Sequence, residues 1–246
     1  MEIKGILFDK DGTIIDFYEV WGTAAEPVLE WILEKYGLDG NRKLKEKLLE
    51  ALGVHGQVID SEGALAWKPY DLIAKDLEKI FLQENISISC TELKENLIDG
   101  FYEEVCAKRQ EYPVFTDMKK LMSKLHQMGI RIGLATTDEY ESTKVCMEKI
   151  GISKWISFYG TAGLGYPEKP DGELIVMAAK EWGIQSEEVA VIGDTPNDMR
   201  FARNGNAVGI GVLSGTGKRE DLEPLAHYVI HSVDELLNLL EEIWQR

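Results

Sequence analysis

The chain opens on a short apolar run, Gly5-Ile6-Leu7-Phe8, that passes directly into Asp9. An unbroken apolar run of this length is the pattern of a strand buried on both faces, as in a parallel sheet. The period then changes. Val28, Leu29, Ile32, Leu33 and Tyr36 recur at helical spacing, with Pro27 near the expected helix start and Gly37 as its stop. Charged, helix-period sequence continues over 44–52, 71–81 and 92–109, and only the Gly-bearing stretch 53–69 reads as loop. Beyond Tyr112-Pro113 short apolar runs alternate with helical segments. Thr116 is placed to cap a helix that ends at Gly129, and strands are expected over 131–136, 156–159, 189–193, 207–212 and 228–230. Helices fall between them, one of them over 171–182. A last helix follows Ser232 and Glu235, which have capping-box spacing, with Leu236, Leu237, Leu240 and Ile243 on one face.

Strands alternating with helices specify an α/β fold, a doubly wound parallel sheet of Rossmann-like kind. The helical block after the first strand cannot belong to that alternation, so it reads as an inserted all-helical cap domain. The expected organisation is an α/β core of 1–16 and 113–246 and a cap of 17–112.

Composition narrows the class. A 44% hydrophobic chain with six Trp can build a real core and is no disordered polymer. No apolar run approaches the roughly 18 residues of a membrane span. A net charge of −16 opposes a nucleic-acid partner, which needs clustered Lys and Arg. Cys90, Cys106 and Cys146 are odd in number and lack a Cys-x-x-Cys, as expected of thiols in a reducing compartment. Asp9, Lys10 and Asp11 interrupt any apolar leader. The expectation is a cytoplasmic protein, monomer or homodimer, with neither a nucleic acid nor a membrane as partner.

Open parallel sheets bind ligands beyond the carboxyl ends of their strands, and here those ends are polar. The first strand ends in Asp9-Lys10-Asp11-Gly12-Thr13, the second in Thr136-Thr137-Asp138, the fourth in Gly193-Asp194 with Asp198 close behind. Lys169-Pro170 precedes the helix between the third and fourth strands. Asp9 and Asp11 are two apart, so extended chain would point them the same way, and Gly12 permits a sharp turn beneath them. With Asp194 they form an all-oxygen anionic site suited to Mg²⁺. The metal and Lys169 would neutralise the acids enough to admit a phosphate, to which Thr136 can donate a hydrogen bond. A carboxylate nucleophile, a second carboxyl group, a metal and a lysine together describe phosphoryl transfer through an aspartyl-phosphate.

These four segments, in this order, resemble the motifs of the haloacid dehalogenase-like superfamily, in particular its helical-cap, phosphoglycolate phosphatase-like branch. The resemblance implies that Asp9 is the nucleophile and Asp11 the general acid, then base. It makes Thr136 the phosphoryl ligand and gives Lys169 the task of holding that group and the nucleophile. Mg²⁺ would take Asp9, the main-chain carbonyl of Asp11, and Asp194, with Asp198 supporting. Gly12, Thr13 and Thr137 would join the substrate-binding set. The dehalogenating branch lacks the second carboxylate, so Asp11 implies a small phosphorylated metabolite as substrate. Relatives commonly carry Asn where Thr137 stands and Ser where Phe17 stands, and the cap matches no motif. The cap loop lies where helical-cap relatives bring a specificity segment, which makes Trp67, Lys68 and His55 substrate-contact candidates.

Competing patterns are weaker. An EF-hand reading of Asp9-x-Asp11-Gly12 fails at Thr13, Ile14 and Val20. The run Ser214-Gly215-Thr216-Gly217-Lys218 is no P-loop, because Val212 and Arg219 stand where Gly and Ser or Thr are required, and it reads as a Gly-rich turn. Asp138 reads as a helix cap, and His227 and His231, four apart on a strand, as surface histidines. Three rivals use similar chemistry: a sugar phosphomutase with His55 or Lys68 as cap acid/base, a phosphonate-cleaving enzyme with a Schiff-base lysine, and a phospho-binding module without turnover.

Overall fold

A computed structural model describes residues 2–56, 58–60 and 63–245. Chain order is β1 (Gly5–Phe8), α1 (Thr23–Lys35), α2 (Arg42–Leu52), β2 (Val54–His55), β3 (Val58–Ile59), α3 (Ala64–Trp67), α4 (Tyr70–Gln83), α5 (Cys90–Phe101), α6 (Met118–Gln127), β4 (Arg131–Glu139), α7 (Tyr140–Ile150), β5 (Ile156–Ala162), α8 (Glu173–Trp182), β6 (Val189–Gly193), α9 (Pro196–Asn204), β7 (Val208–Val212), α10 (Arg219–Leu222), β8 (Tyr228–Ile230) and α11 (Leu236–Trp244). The chain divides into two compact units, one of 1–17 with 111–246, the other of 18–110.

The first unit is built on a six-stranded sheet in the order β5-β4-β1-β6-β7-β8. Every pairing in it is parallel. From β1 the chain steps outward to β4 and β5, then returns to β6 on the other side of β1 and steps outward again. That reversal defines the doubly wound fold and places its switch point between β1 and β6. The apolar runs are buried on both faces because helices cover both: β1, β6 and β7 have no exposed residue. One face packs Leu7, Phe158, Val189 and Val191 against Leu174, Ile175 and Ala178 of α8 and Phe201 and Ala202 of α9.

The second unit packs the apolar stripes of its helices together, with Val28, Leu29, Ile32, Leu44, Leu48, Leu77, Phe81, Leu97 and Phe101 all buried. Two short π-helical turns, Tyr18–Gly22 and Tyr102–Ala107, lead into and out of it. Arg109 joins them to each other, donating to the carbonyl of Glu19.

Several local expectations change. The stretch 53–69 is not plain loop: β2 and β3 pair as an antiparallel ribbon and α3 follows, so the helical unit also carries a small strand pair. Pro27 lies inside α1, not at its start, because the helical path already begins in the π-helical turn. The cap of α6 is Asp117, whose carboxylate accepts the Lys120 amide at 3.0 Å, one residue after Thr116. An ionised acceptor at a helix N-terminus also satisfies the helix dipole. Ser232 caps a 3₁₀ turn that precedes α11, and Glu235 reaches back to the amide of His231 instead of Ser232.

Phe201 has no exposed surface whereas Val176 on α8 is 51% exposed. Phe201→Ala is expected to cost about 3–5 kcal/mol and Val176→Ala to stay within about 0.5 kcal/mol. Denaturant titration of the two variants checks the contrast.

Candidate active site

The switch point brings two acidic strand ends side by side. Phe8 pairs with Ile192 across β1 and β6, and the Asp9 amide donates to the Ile192 carbonyl at 2.7 Å. The next residues out on each strand are therefore Asp9 and, past Gly193, Asp194. Lys169 arrives from the loop between β5 and α8, whose backbone is tied down by Asn204 donating to the Pro170 carbonyl at 2.8 Å. Its ammonium donates to Asp9 Oδ1 at 2.7 Å and to Asp198 Oδ1 at 2.6 Å. The other oxygen of Asp198 accepts the Thr195 amide at 3.0 Å and completes a capping box at the start of α9. Asp198 thus caps its helix and anchors Lys169 at once.

Asp194 is held differently. Its Oδ2 accepts from the Thr216 amide at 2.7 Å and the Thr216 hydroxyl at 3.2 Å. The Gly-rich turn after β7 is what permits this approach: a Cβ at Gly215 would lie 2.0 Å from that oxygen. Gly12 closes in from the other side with φ +82°, and a Cβ there would lie 2.5 Å from the same atom. Ser214 adds a bond to the Gly12 carbonyl at 2.7 Å. The other oxygen, Asp194 Oδ1, is buried and has no hydrogen-bond partner.

Asp9, Asp194 and Asp198 each offer an oxygen within 4.8 Å of the others. Three carboxylates against the one ammonium of Lys169 are in electrostatic deficit. Burial pushes the Asp9 carboxyl well above its usual range; Lys169 opposes this, while Asp198, Asp194 and Asp11 add to it. Asp194 is pushed up to about 7, by burial first and then by Asp198, against the bonds from Thr216. Burial alone would lower Lys169, yet the charges of Asp198 and Asp9 outweigh it and raise the ammonium above its ordinary value. A buried oxygen without a partner, inside a set of all-oxygen donors carrying surplus negative charge, fits a hard divalent cation.

Asp11 does not join this cluster. The strand ends at Phe8, so the two-residue alternation does not extend to Asp11, and its carboxylate turns to Lys10, which lies 2.7 Å from Oδ2 and 2.9 Å from Oδ1. Lys10 is wholly buried and also lies 3.2 Å from Asp138 Oδ2. The cap expected at Asp138 falls one residue later, on Glu139, whose side chain makes no capping bond; Asp138 accepts the Glu139 amide at 2.8 Å, and its other oxygen takes the Ser142 hydroxyl and Lys10. Its own amide donates to Thr136 Oγ1 at 3.2 Å. Thr136 and Thr137 line a small pocket with Thr161, Tyr166 and Lys169. Thr13 is buried and its hydroxyl has no partner.

The cap candidates lie in the other unit. Lys68 donates to Asp76 at 2.7 Å, and His55 is exposed on the ribbon. The Trp67 side chain lies outside the described residues. Sequence reasoning passed over Lys10 and the Thr216 turn. No periodicity marks Lys10, because β1 ends at Phe8 and its alternation does not reach that residue.

The family comparison decides the class: residues 3–206 match the model of the haloacid dehalogenase-like hydrolases. The chain belongs to the haloacid dehalogenase-like hydrolases. Among the hydrolase's curated relatives, the phosphoglycolate phosphatase of Shigella boydii serotype 4 is 24% identical over 243 residues, covering 97% of this chain and 93% of that protein. A solved hydrolase from Pseudomonas syringae shares the fold with TM-score 0.68 at 23% identity, covering 98% and 99% of the two chains. The β-phosphoglucomutase of Clostridium difficile does so with TM-score 0.62 at 20% identity, covering 99% and 100%. No helix among the hydrolase's described residues is long and apolar enough to cross a membrane.

The raised Asp194 carboxyl makes the metal-free hydrolase pH-sensitive. The folded protein keeps this proton up to about pH 7, whereas an unfolded carboxyl near 3.8 has released it. The group's contribution is therefore full at low pH and lost as pH rises through that window. The melting temperature of metal-free protein is expected to fall between about pH 5 and about pH 7.5. A divalent cation should raise it more at the higher pH, where it need not displace protons. Equal increments at both pH values would contradict the site. Asp194→Asn should raise the metal-free melting temperature at the higher pH and remove the cation's increment.

Proposed function

We propose that this phosphatase hydrolyses a small phosphate monoester with the aid of Mg²⁺, through an aspartyl-phosphate on Asp9, and that phosphoglycolate is the first substrate to test. The observation that carries the reading is the bridge of Lys169 between Asp9 and Asp198 beside the unpartnered Asp194 oxygen. It is a nucleophile oriented in a site short of positive charge.

Asp9, Asp194 and Asp198, with the Asp11 carbonyl, are the groups that would hold Mg²⁺, which when bound offsets their charge and polarises the phosphoryl oxygens. Lys169 engages Oδ1 of Asp9 and so positions the carboxylate, leaving Oδ2 to attack phosphorus. As the Oδ2–P bond forms, the ester P–O bond breaks and the leaving alkoxide takes a proton from Asp11. Water then attacks the same phosphorus. Asp11 recovers a proton from it, the Oδ2–P bond breaks, and inorganic phosphate and the Asp9 carboxylate are regenerated. The triad of Lys10, Asp11 and Asp138 sets two carboxylates against one ammonium, so it can take up one proton without acquiring net positive charge. Thr136 accepts from the Asp138 amide, which leaves its hydroxyl proton to donate to a phosphoryl oxygen. Gly12 and Thr13 shape the turn beneath the attacking group, and Thr137 flanks Thr136.

Phosphoglycolate heads the substrate list because the relative of that name is similar along nearly the whole chain. Phosphate release from a panel of phosphorylated metabolites, phosphoglycolate included, tests the reading. Activity is expected with Mg²⁺, should vanish on chelation and return on adding the metal back. Asp9→Asn should fall to the blank. Near-normal turnover by Asp9→Asn would overturn the nucleophile assignment, and an isomerised sugar phosphate instead of free phosphate would identify a mutase.

A further inference from the structure

We propose that Lys10 is a positioning residue: it fixes the carboxylate of Asp11 for proton transfer and ties that group to the strand end carrying Thr136. The inference rests on the reading of Asp11 as acid and base.

Lys10 has no exposed surface, so it cannot itself meet a substrate, and whatever it does for the reaction it does through a neighbour. Burying an isolated ammonium is costly, so the arrangement around it must supply compensating partners. Both oxygens of Asp11 face its Nζ, at 2.7 and 2.9 Å, which sets the plane of the carboxylate as well as its position. The Asp11 side chain remains 17% exposed, so the held carboxylate still meets solvent. Asp138 Oδ2, at 3.2 Å, is a second carboxylate against the same ammonium.

Asp138 is itself immobilised. It accepts the Glu139 amide through Oδ1 and the Ser142 hydroxyl through Oδ2 at 2.5 Å. Through its own amide it also orients the Thr136 hydroxyl. One buried cation therefore joins the turn after β1 to the end of β4. The group that moves protons and the group that would hold the phosphoryl oxygens keep a common frame. Without Lys10, the Asp11 carboxylate loses the two contacts that set its plane, and misplacement by about 1 Å is enough to cost roughly a hundredfold.

A pair of esters with similar shape separates positioning from folding. p-Nitrophenyl phosphate releases a stabilised phenolate that departs without a proton, whereas benzyl phosphate releases an alkoxide that needs one. kcat/KM reports steps through the first irreversible one, here formation of the phosphoenzyme. Lys10→Met is expected to lower kcat/KM for benzyl phosphate by about a hundredfold and for p-nitrophenyl phosphate by less than about threefold, with the benzyl loss carried mainly by kcat. Lys10→Met with Asp138→Asn removes one charge of each sign. This double variant should melt higher than Lys10→Met alone and keep the same selectivity between esters. Asp11→Asn is the reference and should show the split in full. A split in Asp11→Asn with equal losses, or none, in both Lys10 variants would overturn the role of Lys10. No split in Asp11→Asn would overturn the acid/base reading beneath it.

Discussion

The structure of the site depends on how one ammonium is shared. Lys169 reaches Asp9 and Asp198 together, at 2.7 and 2.6 Å, in a place where its side chain is only 7% exposed. Water cannot screen the acids there, so each carboxylate must be answered by a named donor. Asp198 is answered by Lys169 and by the start of α9, and Asp194 by Thr216. One oxygen of Asp194 is left with no answer. The deficit is what distinguishes the site from a structural ion-pair network, in which every buried charge is satisfied.

The fold supplies this arrangement through topology more than through any single motif. Reversal of strand order at β1 places the ends of β1 and β6 side by side. The same reversal explains why residues more than 150 positions apart, such as Asp9 and Lys169, can share a proton-donating contact. The glycine turn after β7 belongs to the same logic. The turn leaves the strand next to β6, so its small residues can lie against Asp194 where larger ones would clash.

Much of this is legible in the sequence because strand-end chemistry obeys simple rules. Apolar runs that stop at an acid gave β1 and β6, and with them Asp9 and Asp194. The helix that follows β6 gave Asp198, and Lys169-Pro170 was visible as the approach to α8. The failures have physical causes. The alternation that was to align Asp11 with Asp9 holds only inside a strand, and β1 ends one residue before Asp9. Lys10 is hard to read because a lysine is by default a surface residue, and its burial rests on adjacent Asp11 together with Asp138, distant in sequence. The Ser214–Lys218 turn fails as a P-loop, and nothing in its own pattern shows that its glycines matter for a neighbouring carboxylate. The ribbon β2–β3 is too short for any periodicity to show.

Lys10 and Lys169 are the two amines closest to the site's acids, and both are hidden, whereas Lys75, Lys79 and Lys108 have side chains more than half exposed. Lys45, Lys68 and Lys47 lie between these extremes. Amine-directed acylation, for a fluorophore or for coupling to a solid support, falls first on the exposed lysines while the fold is intact. The enzyme can be tethered through its surface lysines with the internal cations left untouched.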